Sequence, residues 1–203
     1  MNDRLTALTE LLRELPGIGP RQARRLALWL MRKNVSWVEK LSNTMLEARA
    51  SVRQCDKCMR LFPSLQGGTT CAICSKPDRD HSKLLVVEKD VDLENIDRTG
   101  MYNGMYFVLG GTTSLLDKEP ERHIHVRELQ QKLESSTEMV ELIYALSATS
   151  DGEDTTAYLE ERLQTLVQQK NITVTHLGRG LSTGTELEYV DAATMKDALK
   201  SRS

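Results

Sequence analysis

The chain has 203 residues, 39% of them hydrophobic and 28% charged, which suits a soluble globular protein of one large domain or several small ones. No run approaches the ~18 to 20 consecutive apolar residues that a membrane-spanning helix needs, and an aromatic content of 4% argues against a surface that stacks unpaired bases. The formal net charge of -2 conceals an asymmetry, because residues 1–60 carry 12 Lys and Arg against 6 Asp and Glu, whereas the remainder carries 15 against 23. We therefore expect the N-terminal part of the chain to make any contact with a polyanion.

Two helices joined by a glycine-containing turn are predicted at the front of the chain. Residues 3–15 carry leucines at helical spacing, and the turn Leu15-Pro16-Gly17-Ile18-Gly19-Pro20 follows them. Glycine allows unusual backbone angles and proline suits the first position of a helix, so a second helix is predicted over about residues 20–33. Its inward residues are Ala23, Leu26, Ala27 and Leu30. The arrangement is a helix-hairpin-helix, whose turn exposes backbone amides at a helix N-terminus.

Basic side chains crowd the first turns of that second helix. Arg21, Arg24 and Arg25 lie where the helix dipole disfavours cations by about 0.3 to 1 kcal/mol each, so an external anion is expected there. Nucleic-acid phosphate is the predicted anion, contacted through its backbone and hence without regard to sequence. The alternative is a solvated basic face on an ordinary helical hairpin. The predicted DNA-binding residues are Gly17, Gly19, Arg21, Arg24, Arg25 and Arg32.

All four cysteines of the chain lie in one stretch, after a third helix predicted over residues 35–53. Cys55 and Cys58 form one CxxC pair and Cys71 and Cys74 form another, a spacing typical of one tetrahedral zinc ion held by four thiolates. Two disulfides or four unrelated buried cysteines are the alternatives. Disulfides are disfavoured because the chain does not start with a basic and then apolar secretory leader. Four protein ligands leave no open coordination position, so we expect the zinc ion to be structural.

From residue 83 onward, apolar runs alternate with amphipathic stretches, which predicts repeated strand and helix units. Strands are predicted at residues 84–87, 106–109, 139–146 and 172–176, and helices at about 90–98, 125–133, 155–170 and 192–200. Such repeats favour a mostly parallel sheet in a three-layer α/β domain. A polar connector is predicted over residues 75–82.

Acidic residues follow two of these strands, at the edge of the sheet where the carboxyl ends of parallel strands meet. Glu88 ends the first strand, and Asp151, Glu153 and Asp154 follow the third. Their spacing leaves three alternatives open, namely a Mg²⁺ site, a solvated loop, or a docking point for a basic partner. No nucleophile and base pair stands out, and the glycine-rich tail lacks the Gly-Lys-Ser/Thr ending of a nucleotide-binding loop. No catalytic residue is therefore predicted.

The ordered set of these motifs resembles the RecR family of bacterial recombination mediators. Its marks are the turn at residues 15–20, the four cysteines, Val86-Val87-Glu88 at the start of a Toprim-like domain, Gly152-Glu153 after the third strand, and the segment from Gly180 to Asp191. The resemblance covers nearly the whole chain, and the ordered set is more specific than any one motif.

The predicted fold class is therefore a multidomain α+β protein with four parts. A helix-hairpin-helix DNA-binding region spans 1–53, a four-cysteine zinc finger with its connector 54–82, a Toprim-like α/β domain 83–177, and a C-terminal glycine-rich segment with a short helix 178–203.

The resemblance also implies an assembly and partners. It implies a ring-like homotetramer, with a dimer as the alternative, that works with RecO, and in some settings RecF, in recombinational DNA repair. The task would be to load the RecA recombinase onto DNA coated by single-strand binding protein, in the bacterial cytoplasm at the nucleoid. The family's DNA-contact positions match Arg21 and Arg25, and its acidic partner-docking surface corresponds to Glu88, Asp151 and Glu153.

The chain departs from enzymes that share the Toprim fold. Those enzymes carry Asp-x-Asp after the third strand, where this chain has Ser147-Ala148-Thr149, so phosphoryl transfer is not expected. A metal-dependent nuclease that uses Glu88 with Asp151 and Glu153 is the alternative function. The usual Glu-Gly-Glu of the RecR family is here Asp151-Gly152-Glu153, and Ser182 stands where proline is usual.

Overall fold

A computed structural model of the chain describes residues 3–64, 67–114, 116–178, 180, 181, 184 and 186–200. The chain divides into two compact units, residues 1–52 and residues 53–203. None of the described helices has the length and apolar character needed to cross a membrane. Ser182 lies outside the described residues.

The first unit consists of three helices, α1 (Arg4–Arg13), α2 (Pro20–Met31) and α3 (Val35–Ser51). Each helix begins at a residue suited to that position. The Asp3 carboxylate accepts from the Leu5 amide at the start of α1, and the Asn34 side chain accepts from the Trp37 amide at the start of α3. Helix α2 begins with Pro20, which Gly19 precedes. The helix-hairpin-helix predicted from the glycine turn is confirmed.

The core of this first unit is small. Only Ala23 and Ala27 are buried among the described residues of its helices, and both lie on the face of α2 predicted to point inward. The third helix buries none of its residues, and Leu41, Met45 and Leu46 of its apolar set are exposed. An isolated copy of this unit therefore leaves much apolar surface in water.

The second unit contains a two-stranded sheet and a four-stranded sheet. Strands β1 (Val52–Gln54) and β2 (Leu61–Pro63) form the small sheet. The larger sheet has the order β4-β3-β5-β6 and is parallel throughout, with strands β3 (Asp80–Val87), β4 (Gly104–Val108), β5 (Glu141–Ala145) and β6 (Thr173–His176). Val86 lies between Phe107 and Tyr144, so the apolar run 84–87 is covered by strands on both sides.

Four helices accompany the larger sheet along the chain. They are α4 (Asp90–Thr99), α5 (Val126–Ser135), α6 (Ser150–Gln169) and α7 (Ala192–Lys200), with short 3-10 turns at Pro120–Arg122 and Leu187–Tyr189. The first of them ends at Gly100, whose φ of 67° is the left-handed conformation that glycine tolerates. The α/β domain with a parallel sheet is thus as predicted.

Several predicted boundaries are wrong: β4 spans Gly104–Val108 instead of residues 106–109, β5 spans Glu141–Ala145 instead of residues 139–146, and specific contacts explain three further differences. The third helix ends at Ser51 instead of residue 53, since Val52 joins β1. Strand β3 begins at Asp80, inside the predicted connector, because that residue pairs with Gly104 of β4. Helix α6 begins at Ser150, not near Thr155, because the Thr149 hydroxyl accepts from the Gly152 amide and caps the helix.

The four cysteines belong to the same buried cluster as the larger sheet. Phe62 and Ile73 accompany them there, and the cluster continues into β3, β4 and β5. The cysteine segment therefore has no core separate from that of the sheet.

Gly152 provides a test of how closely α6 approaches the loop after β5. It is buried, and a Cβ added there would overlap the carbonyl oxygen of Ser147. We expect Gly152→Ala to lower the free energy of unfolding by about 1–3 kcal/mol, as overpacking usually does. Urea unfolding measures it, with Gly68→Ala as the control because its Cβ would meet open space. Equal stability of the two variants would contradict this packing.

Candidate metal centre and candidate nucleic-acid interface

The four cysteine side chains converge on one point. Their sulfur atoms all lie within 4.8 Å of one another, and those of Cys58 and Cys71 are 3.7 Å apart. A tetrahedral zinc ion with Zn–S bonds of about 2.3 Å places its sulfurs roughly 3.8 Å apart, so the donor set fits. The cysteines are free thiols, and a disulfide would need a separation of about 2.05 Å, which excludes the two-disulfide alternative.

Backbone hydrogen bonds shape the two turns that carry the thiols. The carbonyl of Cys55 accepts from the Met59 amide at 2.9 Å, and the carbonyl of Cys71 accepts from the Ser75 amide at 3.1 Å. The Cys71 amide also donates to the sulfur of Cys55 at 3.3 Å. Each turn thereby folds back on itself, and one sulfur already accepts a hydrogen bond of the kind that favours a thiolate.

Hydrogen bonds among the four sulfurs shift the pKa values of the thiols in opposite directions. The hydrogen bond from Cys58 lowers the pKa of Cys55, whereas the hydrogen bonds with Cys55 raise the pKa of Cys58 and of Cys74. Without a cation, therefore, the cluster does not hold four negative charges. A bound divalent metal removes this conflict, since metal ligation requires all four sulfurs as thiolates.

The sheet and its helices hold the first CxxC turn through direct contacts. The Val108 amide at the end of β4 donates to the Cys58 carbonyl at 2.8 Å, and the Lys132 ammonium of α5 donates to the Lys57 carbonyl at 2.9 Å. Just after the turn, at the start of β2, the Leu61 amide donates to an Asp90 carboxylate oxygen at 2.7 Å. The turn is therefore anchored by residues up to 75 positions away along the chain.

His125 adds a further link within this unit. Its Nδ1 lies 3.1 Å from the Val108 carbonyl and its Nε2 lies 3.1 Å from the Gln54 amide nitrogen. That same amide nitrogen donates to the Met59 carbonyl, so Gln54 is the donor and Nε2 the acceptor. The imidazole therefore carries its proton on Nδ1 and joins the small sheet to β4.

Sequence reasoning missed Lys132 and His125. Both lie in the segment around α5, far from the cysteines along the chain, and neither has a spacing that marks it. Burial lowers the pKa of Lys132, and the nearby sulfurs of Cys74, Cys58 and Cys55 oppose that shift. Only the folded sheet brings this cation to the cysteine turns.

The start of α2, in the first unit, has the features of an anion site. Gly17 has a φ of 76°, which is the left-handed conformation, and Gly19 precedes the helix without a side chain to cap it. Its first turn contains no acidic residue, and Pro20 has no amide hydrogen. The amides of Arg21 and Gln22 are thus available to an external acceptor.

The predicted arginines are all exposed around this helix. Arg21, Arg24 and Arg25 lie in α2, and Arg32 is the residue that ends it. Within the part of the chain that the structure describes, none of the four forms an ion pair with an acid. Their charges are therefore available to a polyanion.

The acids predicted for docking occupy different environments. Glu88 is only 7% exposed, and its carboxylate accepts from the Ser147 amide at 2.6 Å. Asp151 and Glu153 are exposed in the first turn of α6, and Asp154 is half-buried in the same helix. Among the described residues, the cysteines form the group close enough to share a metal ion, and these acids do not.

Comparisons with known proteins agree with this organisation. Residues 5–49 match the family model described as RecR, helix-hairpin-helix; residues 82–178 match the Toprim domain; and residues 180–203 match RecR, C-terminal. The first match covers the helices with the candidate nucleic-acid interface, the second covers the parallel sheet, and the third covers the segment that contains α7, while the four cysteines lie between the first and the second.

Full-length relatives give the same result. A Recombination protein RecR of Cyanothece sp. (strain PCC 7425 / ATCC 29141) is 37% identical over 198 residues, which is 98% of this chain and 94% of the relative. Those of Chlorobium phaeobacteroides (strain BS1) and Pelodictyon phaeoclathratiforme (strain DSM 5477 / BU-1) are 37% and 36% identical over 201 residues, 98% of this chain and 96% of each relative.

The cysteine geometry predicts one tightly held metal ion per chain. Cys58→Ser removes a ligand and should abolish stoichiometric binding, measured by native mass spectrometry. Because metal binding stabilises only the folded state, we expect the loss to lower the unfolding free energy by about 4 kcal/mol at free metal 1,000 times the dissociation constant.

The control for this variant is Asp56→Ser, which changes an exposed residue of the same turn and keeps four thiols. A Cys58→Ser protein with unchanged metal content and stability would contradict the predicted centre.

Proposed function

Because this chain belongs to the RecR family of recombination proteins, we propose that it is a DNA-binding recombination mediator in recombinational DNA repair. Its task in this proposal is to work with a RecO-type partner, and in some settings RecF, to load RecA recombinase onto DNA coated by single-strand binding protein. The work would take place at the nucleoid in the bacterial cytoplasm.

The observation that carries the DNA-binding role is the uncapped, arginine-rich start of α2. Two available amides at a helix N-terminus can bind one phosphate. Arg21 and Arg25 lie one turn apart on the same face and can bind the neighbouring phosphates. Such contacts read the backbone and not the bases, so binding should be independent of sequence and weakened by salt. The solvated-face alternative predicts no measurable DNA affinity.

The metal ion in this proposal is zinc, held by Cys55, Cys58, Cys71 and Cys74. Four buried thiolates in a tetrahedral arrangement suit zinc, and they leave no position for water or substrate. Zinc would therefore supply structure to the cysteine turns and no chemistry.

Partner docking is assigned to the acidic start of α6. Asp151 and Glu153 are exposed there and suit a basic partner surface. Glu88 has little exposed surface, and its part in docking would be to hold the Ser147 loop that precedes α6.

The protein acts without catalysis in this proposal. The loop after β5 offers hydroxyl groups at Ser147 and Thr149 where Toprim enzymes use carboxylates, and the Glu88 carboxylate already accepts a hydrogen bond. Two of the three acids that a nuclease would need around Mg²⁺ are thus missing from this loop.

A homotetramer is the proposed assembly. The exposed apolar residues of α2 and α3 support self-association, because a lone first unit would leave them in water. They are Leu28, Trp29, Met31, Val35, Trp37, Leu41, Met45 and Leu46.

Charge reversal tests the DNA-binding proposal. Arg21→Glu with Arg25→Glu should weaken binding to short duplex DNA at low salt by about 100-fold or more, because two phosphate contacts become repulsive. The double alanine variant should make the slope of log affinity against log salt shallower by about two. Fluorescence anisotropy measures both.

The matched control for DNA binding is Arg4→Glu with Arg49→Glu, which changes the charge equally at exposed residues of α1 and α3. All variants must keep the wild-type solution mass. Unchanged affinity of the α2 variant would refute the proposed DNA contact.

Neutralisation of two acids tests docking. Asp151→Asn with Glu153→Gln should weaken binding to a RecO-family protein by about tenfold and reduce the salt dependence of the association rate. Interferometry measures the rates, and Glu128→Gln with Glu161→Gln on α5 and α6 is the charge-matched control. Equal binding by the two double variants would show that the docking surface does not lie at the start of α6.

A further inference from the structure

We propose that Lys132 is a positioning residue of the metal centre, which fixes the first CxxC turn and offsets the charge of the four thiolates. The inference rests on the proposed zinc ion and goes beyond the proposed function, because it assigns a role to a side chain of α5 outside the cysteine segment. Its ammonium group donates to the Lys57 carbonyl, which belongs to the peptide that joins Lys57 to the ligand Cys58.

Charge gives the first argument. A zinc ion with four thiolates carries two net negative charges, and the cysteines that hold it are at most 4% exposed. Buried charge is costly unless a counter-charge or hydrogen bonds compensate it. Lys132 is half-buried beside this turn, so water does not fully screen its charge from the sulfurs.

Geometry gives the second argument. A carbonyl held by an ammonium donor cannot rotate easily, so the peptide between Lys57 and Cys58, and with it Cys58, keeps its orientation. The Val108 amide holds the next carbonyl, that of Cys58, at 2.8 Å. Two consecutive peptides of the turn are therefore fixed by α5 and β4, as partners outside the ligand set commonly do in metal sites.

The chain contains a matched control for this role. Lys170, the residue that follows α6, is also half-buried. It also donates to backbone carbonyls, those of Glu134 and Ser136. Its substitution should cost structural hydrogen bonds as well, but its acceptors are not in the cysteine turns. A purely structural lysine and a metal-positioning lysine can thus be told apart.

The experiment compares full-length wild-type protein with Lys132→Met, Lys132→Arg and Lys170→Met. Zinc affinity is measured by competition with a chromophoric chelator, and the cobalt-substituted proteins give absorption spectra that report thiolate geometry. We expect Lys132→Met to bind zinc about 10- to 100-fold more weakly, with altered cobalt bands. Lys132→Arg keeps a charge and a donor and should restore most of the affinity, while Lys170→Met should bind zinc like wild type.

Each contrary outcome has a distinct meaning. If wild type binds zinc and Lys132→Met binds it equally well with the same cobalt spectrum, the role of Lys132 is refuted and the zinc proposal stands. Equal losses in Lys132→Met and Lys170→Met would also refute it, because they would reflect stability alone. If Lys132→Met does not fold, failure of Lys132→Arg to retain zinc decides against the inference. Wild-type protein without zinc affinity would refute both proposals.

Discussion

The close packing of four buried thiols beside the parallel sheet is the constraint on which the second unit depends. The cysteine segment contributes few large apolar side chains, so it shares the core of the sheet through Phe62 and Ile73. Backbone contacts from Val108 and Lys132 hold its first turn. A metal ion that fixes the sulfurs therefore also fixes peptides bonded to β4 and α5, and its energetic effect should extend beyond the turns themselves.

The two candidate contact sites carry opposite charges and lie in different units. The start of α2 presents arginines without acidic partners among the described residues, whereas α6 starts with Asp151 and Glu153. Both use a helix N-terminus, but in opposite ways: Thr149 caps α6, so its first turn needs no external anion, while Gly19 leaves α2 uncapped. This difference supports the proposal that α2 contacts phosphate and that the start of α6 docks a basic protein.

Much of the fold and of the candidate sites could be predicted from the sequence wherever residues close together in the chain determine the structure. Glycines at 17 and 19, paired CxxC spacing and the run 84–87 each specify structure within a few residues. Helix α6 begins before its predicted start because its polar first turn depends on the Thr149 cap, and the environment of Glu88 depends on the loop after β5. Lys132 and His125 could not be found at all, since contacts across 71 to 75 residues leave no periodic signal.

Hydrogen exchange with and without a chelator tests most directly whether the cysteine turns and the sheet form one cooperative unit. The amides of Val108 and Leu109 donate to the carbonyls of Cys58 and Val87, so they report the junction and the sheet beside it. The account predicts that removal of the metal accelerates exchange at both amides, because the turns and the strand end open together. Loss of the metal with unchanged protection at Val108 and Leu109 would contradict it.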